Sequence, residues 1–328
     1  MLLSLIILFS FSLSVSSLLS ADPSSPEGIC VYDGNQGDPR VYGSLVVWED
    51  WRNGDGDIYQ YDLEKREEMA VCAEPGNQTS PDIWGDIIVW YDDRPIEEGW
   101  EILFSICAMN ITSGERWVMR IEDPYATPRV YENIVLFSKS WYDEYSRYGL
   151  VVRDLSSGRD AIIPTYSMAR DFDIYGKNVV YTTYLGLYLY NLEGRKETTI
   201  IEKERIADVE IWEDRVVWIE GLGDEESTVW LLDLKSGKRH QIMLSERIKG
   251  SLELKGDRMA WCEFGERAQI VFYDMENQSL NRIDCDGWIY GPSLSDDYVV
   301  WMEFKDWRES LEKGEFVGSG WDIYGCKI

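Results

Sequence analysis

Apolar and polar positions in this chain alternate in short runs and show no sustained helical spacing. Seven segments share one pattern, in which a proline or small residue precedes an apolar and an aromatic residue, a turn pair, two apolar residues and a closing aromatic residue. They are PRVYGSLVVW (39–48), PDIWGDIIVW (81–90), PRVYENIVLF (128–137), FDIYGKNVVY (172–181), VEIWEDRVVW (209–218), SLELKGDRMAW (251–261) and PSLSDDYVVW (292–301). Because successive side chains of a strand point to opposite faces, each segment predicts a β-hairpin.

The closing aromatic residue of the pattern recurs about every 40 residues. Each unit continues with a second hairpin, in which an apolar strand ends in Asp or Asn before a turn such as Lys235-Ser236-Gly237. Glycine there supplies the positive φ that a short hairpin requires. Repeats of this length with four antiparallel strands predict an all-β fold, a seven-bladed β-propeller.

The two ends of the chain predict how the ring closes. The seventh unit ends at 320–328 with its third strand, while GICVYDGNQGDP (28–39) mirrors the fourth-strand region MAVCAEPGNQTSP (69–81). The N-terminal strand is therefore predicted to complete the last blade and lock the ring. Residues 29–328 are expected to form one domain.

The first twenty residues contain no charged side chain and include an apolar run that is short for a membrane span. They predict a signal peptide over 1–20, with an uncleaved N-terminal anchor as the alternative, followed by a linker over 21–28. A secreted or cell-surface location follows. The sequons that begin at Asn77, Asn110 and Asn277 fit a glycoprotein.

One unit carries a longer motif, Val46-Val47-Trp48-Glu49-Asp50-Trp51-Arg52-Asn53-Gly54-Asp55-Gly56-Asp57-Ile58-Tyr59. Parts of it recur around Trp90 and between Trp301 and Tyr324. The arrangement resembles TolB-like propeller repeats, and in particular the secreted propellers of archaeal cell surfaces with the motif V-V-W-x-D-x-R-x-G-x-x-D-I-Y. The resemblance implies a propeller fold and a surface or secreted binding scaffold.

Charge and cysteine content bear on partners and on disulfides. The formal net charge of −28 disfavours binding to nucleic acid and to anionic lipid surfaces, and no membrane insertion is expected beyond the possible N-terminal anchor. A disulfide between Cys30 and Cys326 would staple the closing strand, but the repeat alignment places Cys30 opposite Ile323. Buried free thiols are therefore the preferred interpretation for the six cysteines, with a bulged staple as the alternative.

Familiar catalytic constellations are missing from the sequence. The chain contains a single histidine, His240, on a predicted fourth strand, so no histidine-based nucleophile system can be built except around that residue, and His-rich zinc sites are excluded. Paired carboxylates remain open, because glycoside cleavage needs only two of them, and the chain contains 60 Asp and Glu residues. No particular pair stands out.

The longer connections are predicted on the face that carries the loops between the second and third strands of each blade and the loops from the fourth strand of one blade to the first strand of the next. Such loops are where binding usually concentrates. Aromatic and Arg side chains in them are candidate contacts; the candidates are Trp51, Arg52, Arg94, Trp141, Tyr142, Trp307 and Arg308. The alternative for Arg52 and Arg94 is structural, with each Arg pairing with the Asp two positions earlier to hold adjacent blades together.

The stretch Asn53-Gly54-Asp55-Gly56-Asp57 places oxygen-bearing side chains at every second residue, a spacing found in calcium loops. Because Asp57 belongs to the repeated D-I-Y motif, a hairpin turn is the preferred interpretation. Weak calcium binding by Asn53, Asp55 and Asp57 is the alternative, and no other cofactor is expected.

These observations lead to the expectation of a non-catalytic propeller scaffold that binds protein or glycan through its loop face. A polysaccharide-active enzyme with carboxylates at the propeller mouth is the rival hypothesis, and a structural cell-envelope component is the third.

Overall fold

The computed structural model of the protein describes residues 25–95, 102–122, 126–141, 147–221, 226–305 and 320–328. The elements in this part of the chain are strands, arranged in seven four-stranded antiparallel sheets. Neighbouring sheets are in contact around the ring, including the first with the last. The molecule is therefore a seven-bladed β-propeller, which confirms the fold predicted from the repeats.

The strands are numbered in chain order. In each of blades 1 to 6 the first strand lines the channel and the fourth strand lies at the outer edge. Blades 1 and 2 contain β2 (Gln36–Tyr42), β3 (Leu45–Asp50), β4 (Asp57–Asp62), β5 (Glu67–Cys72), β6 (Asn77–Trp84), β7 (Ile87–Pro95), β8 (Ile102–Asn110) and β9 (Arg116–Ile121). Blades 3 and 4 contain β10 (Arg129–Tyr131), β11 (Ile134–Trp141), β12 (Arg147–Asp154), β13 (Arg159–Thr165), β14 (Asp171–Tyr175), β15 (Asn178–Thr183), β16 (Gly186–Asn191) and β17 (Lys196–Glu202). Blades 5 and 6 contain β18 (Ile206–Trp212), β19 (Arg215–Glu220), β20 (Ser227–Asp233), β21 (Lys238–Ser245), β22 (Ile248–Lys255), β23 (Arg258–Phe264), β24 (Ala268–Asp274) and β25 (Ser279–Cys285).

Blade 7 combines β26 (Trp288–Leu294), β27 (Tyr298–Phe304) and β28 (Asp322–Lys327) with β1 (Glu27–Cys30), which occupies its outer edge. Cys30 lies opposite Ile323, as the repeat alignment predicts. The six cysteines are buried and free, which confirms the interpretation as thiols. Whether the pairing of β1 holds the ring closed stays a prediction.

The core lies between the blades. The closing aromatic residues of the repeat are the largest buried side chains there, among them Trp48, Trp90, Trp218, Trp261 and Trp301. Each packs with valine and isoleucine side chains of the adjacent blade, as Trp90 does with Val47. Burial of a large aromatic side chain at every blade interface stabilises the ring as a whole.

The innermost strands of most blades are bulged near their first residues. Register breaks occur in β2, β6, β18, β22 and β26, and the bulged residue has a positive φ in each. These residues are Asp38, Ser80, Asp208, Ser251 and Gly291. A bulge bends the strand and redirects the side chains around it, so the bulges shape the end of the channel at which the innermost strands begin.

The signal peptide expected over 1–20 lies outside the described residues. Within them, no helix is long and apolar enough to cross a membrane.

Candidate functional site

Side chains from the innermost strands line the central channel in three layers. The mouth ring contains Asp38, Ser80, Thr127, Asp171, Asp208, Ser251 and Gly291. The middle ring, two residues further along each strand, contains Arg40, Asp82, Arg129, Asp173, Glu210, Glu253 and Ser293. The base ring, two residues further again, contains Tyr42, Trp84, Tyr131, Tyr175, Trp212 and Lys255. This spacing follows from the period of two in a strand.

The mouth ring surrounds a cavity of about 260 Å³, called here the mouth cavity. Asp208 and Glu210 both line it, together with Asp171, Arg129 and Arg170. The mouth cavity therefore brings carboxyl and guanidinium groups from several blades to one place, an arrangement suited to acid–base chemistry on a polar substrate.

Two carboxyl groups of the mouth ring are held by the backbone of the next blade. Asp171 Oδ2 accepts a hydrogen bond from Val209 N–H at 2.7 Å, and Asp208 Oδ2 accepts one from Ser251 N–H at 2.6 Å. Burial raises the pKa of Asp208 to about 6, with a further contribution from the charge of Asp171. Asp208 is therefore ionised at neutral pH but basic enough to accept a proton.

Carboxyl groups also crowd the middle ring. Burial raises the pKa of Glu210 well above its usual range, and the charges of Asp173 and Glu253 add to the effect. Burial likewise raises the pKa of Asp173 to about 6 and that of Glu253 to about 7. Asp173 and Glu210 share a hydrogen bond, which requires a proton on one of the pair. Because burial and the neighbouring charges raise the pKa of Glu210 well above its usual range, we assign the shared proton to Glu210.

Arg129 supplies positive charge among these acids. Burial alone would lower its pKa, but the negative charge of the surrounding acids, which include the Asp173–Glu210 pair, Asp82 and Asp171, more than reverses this and keeps the guanidinium charged. Its Nη2 lies 3.9 Å from Asp171 Oδ1. Arg40 Nη1 lies 3.3 Å from Glu253 Oε2 in the same ring. The two arginines offset part of the negative charge, so the raised pKa values come first from burial and then from the charge of the neighbouring acids.

The base ring closes the other end of the channel with aromatic side chains. Trp84 lies 4.5 Å from Tyr131 and 5.3 Å from Trp212 between ring centroids. Lys255 Nζ stands over three of the rings, at 4.4 Å from Tyr42, 4.7 Å from Trp84 and 4.3 Å from Trp212. Between base and middle rings only a cavity of about 60 Å³ remains. The polar site therefore opens mainly at the mouth.

Arg52, one of the loop residues singled out from the sequence, is part of a clamp between blades. It contacts the buried Asp50 through Nε at 2.9 Å and through Nη2 at 2.6 Å, and its Nη2 also lies 3.2 Å from Cys30 Sγ on β1. Its Nη1 lies 2.7 Å from Glu68, which leaves little of the guanidinium free. This confirms the structural pairing for Arg52.

The same clamp recurs one blade further on. Arg94 Nη2 lies 2.9 Å from Asp92 and 3.8 Å from Cys72 Sγ on blade 1. Trp51 is half-buried and donates a hydrogen bond to Glu49. Contact of Trp51, Arg52 and Arg94 with a ligand stays a prediction. In the structure these side chains contact other residues of the protein.

The other loop candidates cannot be placed in the same way. Tyr142, Trp307 and Arg308 lie outside the described residues, as does the side chain of Trp141. His240 is exposed on the outer strand β21, far along the blade from the channel-lining strand β18.

The stretch 53–57 forms the turn between β3 and β4. Asn53 Nδ2 donates to Asp57 Oδ2 at 2.8 Å, and Asp55 Oδ2 accepts from Gly76 N–H at 3.3 Å. The described residues contain no group of three or more His, Cys, Asp or Glu side chains placed to hold a metal ion. This stretch has only two carboxylates, so weak calcium binding by Asn53, Asp55 and Asp57 stays a prediction.

The three sequon asparagines occupy different environments. Asn77 donates through Nδ2 to Asp93 at 3.0 Å and is half-buried. Asn110 caps a turn by accepting from Ser113 N–H at 2.7 Å, and Asn277 is exposed in a turn of blade 6. Glycosylation at these positions stays a prediction.

The channel carboxyl groups were missed by the sequence reasoning, although a signal was present. In the seven aligned segments the residue before the last apolar position of the innermost strand reads Arg, Asp, Arg, Asp, Glu, Glu and Ser. A charged residue that recurs between apolar neighbours at one repeat position indicates a ring of charge inside the propeller.

No family model matches the chain, and no curated protein matches it. Several solved structures share its fold. The β-propeller domain of the trilobed protease from Pyrococcus furiosus is 18% identical over 83% of this chain and 91% of that one, with a TM-score of 0.65. An oligogalacturonate lyase from Vibrio parahaemolyticus is 11% identical over 92% and 93%, with a TM-score of 0.65. TolB from Acinetobacter baumannii is 14% identical over 78% and 67%, with a TM-score of 0.55.

These comparisons correct the expected function. The fold with TolB-like neighbours is as expected, but the similar propellers include that of a protease and a lyase. The expectation of a non-catalytic scaffold is therefore wrong. It rested on the lack of histidine catalysts, which carboxyl chemistry does not need. At 11% to 18% identity the likeness itself shows the fold alone.

Proposed function

We propose that the protein is a propeller enzyme that cleaves glycosidic bonds at the channel mouth by acid–base catalysis. One observation carries the proposal. The mouth cavity is lined both by Asp208, whose pKa of about 6 suits a base, and by Glu210, whose pKa is raised well above its usual range and which shares a hydrogen bond with Asp173 that suits an acid. Two carboxyl groups in opposite protonation states are what glycoside cleavage requires.

In the proposed reaction, Asp208 accepts a proton from a water molecule as the water oxygen bonds to the anomeric carbon. Glu210 gives its proton to the glycosidic oxygen, and the bond from that oxygen to the anomeric carbon breaks. The proton on Asp208 then returns through solvent to the Asp173–Glu210 pair, which restores the starting state. No group other than water is consumed.

Arg129 has a positioning role in this proposal. Its guanidinium lies among Asp171, Asp82 and Glu210, so it limits the repulsion that would otherwise separate the carboxyl groups. The backbone N–H donors of Val209 and Ser251 fix Asp171 and Asp208. Groups held by backbone donors of the next blade keep their geometry without reorganisation.

The similar propellers include both a protease and a lyase, so the choice of a glycan over a peptide as substrate in this proposal rests on the chemistry of the mouth ring. The oligogalacturonate lyase aligns over 92% of this chain and 93% of its own, so the similarity extends around the whole propeller. The oxygen-rich lining of the mouth ring, with its hydroxyl groups from Ser80, Thr127 and Ser251, matches a polyhydroxylated ligand.

The test is a screen of neutral and acidic oligosaccharides, with new reducing ends as the signal for bond cleavage. The variants Glu210→Gln and Asp208→Asn are expected to lower turnover about 100-fold or more, because each removes one proton-transfer group. Glu276→Gln is the matched control, since Glu276 is exposed in a turn of the outer part of blade 6.

Thermal unfolding of each variant checks that the propeller still folds. The proposal fails if no glycan in the screen is cleaved, or if both channel variants retain the activity of the Glu276→Gln control.

A further inference from the structure

A second cavity, of about 330 Å³, lies beside the mouth cavity where blades 3 and 4 meet. This cavity is named here the arginine pocket. It is lined by Thr127, Arg129, Ser138, Met168, Ala169, Arg170, Asp171 and Phe172. Thr127, Arg129, Arg170 and Asp171 also line the mouth cavity, so the two spaces share a wall. The two cavities are therefore immediate neighbours.

The charge of the arginine pocket is opposite to that of the protein. Its charged lining residues are Arg129, Arg170 and Asp171, in a chain with a formal net charge of −28. Asp171 is already engaged, since Oδ2 accepts from Val209 N–H at 2.7 Å and Oδ1 accepts from Phe172 N–H at 3.0 Å. Asp171 also offsets the charge of Arg129, whose Nη2 lies 3.9 Å from its Oδ1, so Arg170 supplies the positive charge that remains among the lining residues.

The two arginines differ in their partners. Arg129 is mostly buried, with a side chain 14% exposed, and is surrounded by carboxyl groups of the channel. Arg170 is exposed, and no described residue forms an ion pair or side-chain hydrogen bond with its guanidinium. Its backbone is nevertheless fixed, because Arg170 N–H donates to Thr182 O at 2.9 Å on β15. A guanidinium on an anchored backbone and without a partner is suited to bind an anion from solution.

We propose that the arginine pocket binds an anionic substituent, a carboxylate or a sulfate ester, on the sugar next to the one in the mouth cavity. This inference rests on the proposed function and narrows it to acidic glycans. Arg170 would pair with the anion, Thr127 and Ser138 offer hydroxyl groups to the sugar ring, and Met168 and Phe172 offer apolar contact to its C–H face. The planar guanidinium accommodates two oxygens of either anion at once.

The experiment measures binding of monosaccharides by ligand-observed NMR titration on the full chain, which requires no turnover. The probes are glucuronate, glucose 6-sulfate and glucose. Glucuronate, the sulfate or both are expected to bind about 10-fold or more tightly than glucose, as one charge-assisted contact to Arg170 would give. Preference for one anion identifies the substituent, whereas equal binding of all three sugars overturns the inference.

Arg170→Gln and Arg170→Ala are expected to reduce that preference to less than about 3-fold. The matched control is Arg159→Ala, which removes the same charge from an exposed position on the outer strand β13. If Arg159→Ala lowers the preference as much as the Arg170 variants do, the effect is one of overall charge and the inference fails. Melting temperatures of both Arg170 variants verify folding, and Arg170→Gln retains most of the side-chain length.

The outcome separates this inference from the proposed function. Turnover restricted to neutral glycans would overturn the anion subsite and leave the acid–base enzyme intact. Selective uronate or sulfate binding without turnover on any glycan would do the reverse. The Glu210→Gln variant is expected to keep the anion preference, because Glu210 is not part of the lining of the arginine pocket.

Discussion

The two ends of the channel are made by the same seven strands, yet they differ in chemistry. At the mouth, carboxyl groups outnumber the arginines that neutralise them, and several have pKa values displaced towards neutrality. At the base, aromatic side chains pack on one another and on a single lysine. A shift of a few residues along each strand thus separates a reactive layer from a packed one.

The backbone differs between the ends as well. Asp38, Ser80, Asp208 and Ser251 have positive φ values in the bulges at the mouth, a conformation that costs non-glycine residues of the order of 1 kcal/mol each. Next to the base ring, the positive φ values belong to the turns that end each innermost strand, such as Gly85 and Gly176. Strain at the mouth without a stabilising turn role is consistent with a functional site there.

The largest expected effect concerns the clamp between blades formed by Arg52 and Asp50, which is structural and lies apart from the reactive mouth. Arg52→Ala leaves the fully buried Asp50 without its guanidinium and should lower the free energy of unfolding by about 3 kcal/mol. Urea unfolding measures this, with Arg116→Ala at an exposed position as control. Loss of turnover in a still-folded Arg52→Ala protein would contradict the division between structural clamp and reactive mouth.

The next effect tests the base ring as a packed layer. Trp84→Ala removes the ring that contacts Tyr42, Tyr131 and Trp212, and because Trp84 is half-buried the cost should be about 2–3 kcal/mol of unfolding free energy. Tyr166→Ala, at a residue 82% exposed, is the control and should change stability by less than about 0.5 kcal/mol. A neutral Trp84→Ala would show that the base ring does not stabilise the channel.

The smallest effect is the pH dependence of Lys255. Burial lowers the pKa of Lys255, so the unfolded chain binds more protons than the folded one between that lowered value and about 10.4. The unfolding free energy of the wild type should therefore rise with pH in this window relative to Lys255→Met. Chemical unfolding between pH 7 and 10 measures the difference, and a constant difference would contradict the buried, charged lysine.

The sequence predicts the fold in detail but not the site. The aligned repeats predict that Trp48 and Trp90 lie in the core and that Cys30 lies opposite Ile323. Both predictions hold because strand register follows from the spacing of residues within the repeats, which can be read from a single sequence. The turns follow for the same reason, since Gly158 and Gly237 have the positive φ that their hairpins require.

The site depends on contacts between residues far apart in the chain. Asp171 meets Val209 and Asp208 meets Ser251 only when the ring has formed, and the raised pKa of Glu210 arises from burial among acids of other blades. Conversely, the sequence suggests Arg52 and Arg94 as exposed contacts, because it does not show that the acids with which they pair are buried. Local pattern cannot report a property that tertiary packing creates.

The most direct test of the account is the pH profile of glycan cleavage in the wild type beside Glu210→Gln. We expect the wild-type rate to fall below about pH 6, where Asp208 becomes protonated, and to fall again at alkaline pH, where Glu210 loses its proton. In Glu210→Gln the rate should be about 100-fold lower and the alkaline limb absent. A wild-type rate that is independent of pH, or a Glu210→Gln rate equal to wild type, would contradict the central claim that the mouth carboxyl groups form the catalytic centre.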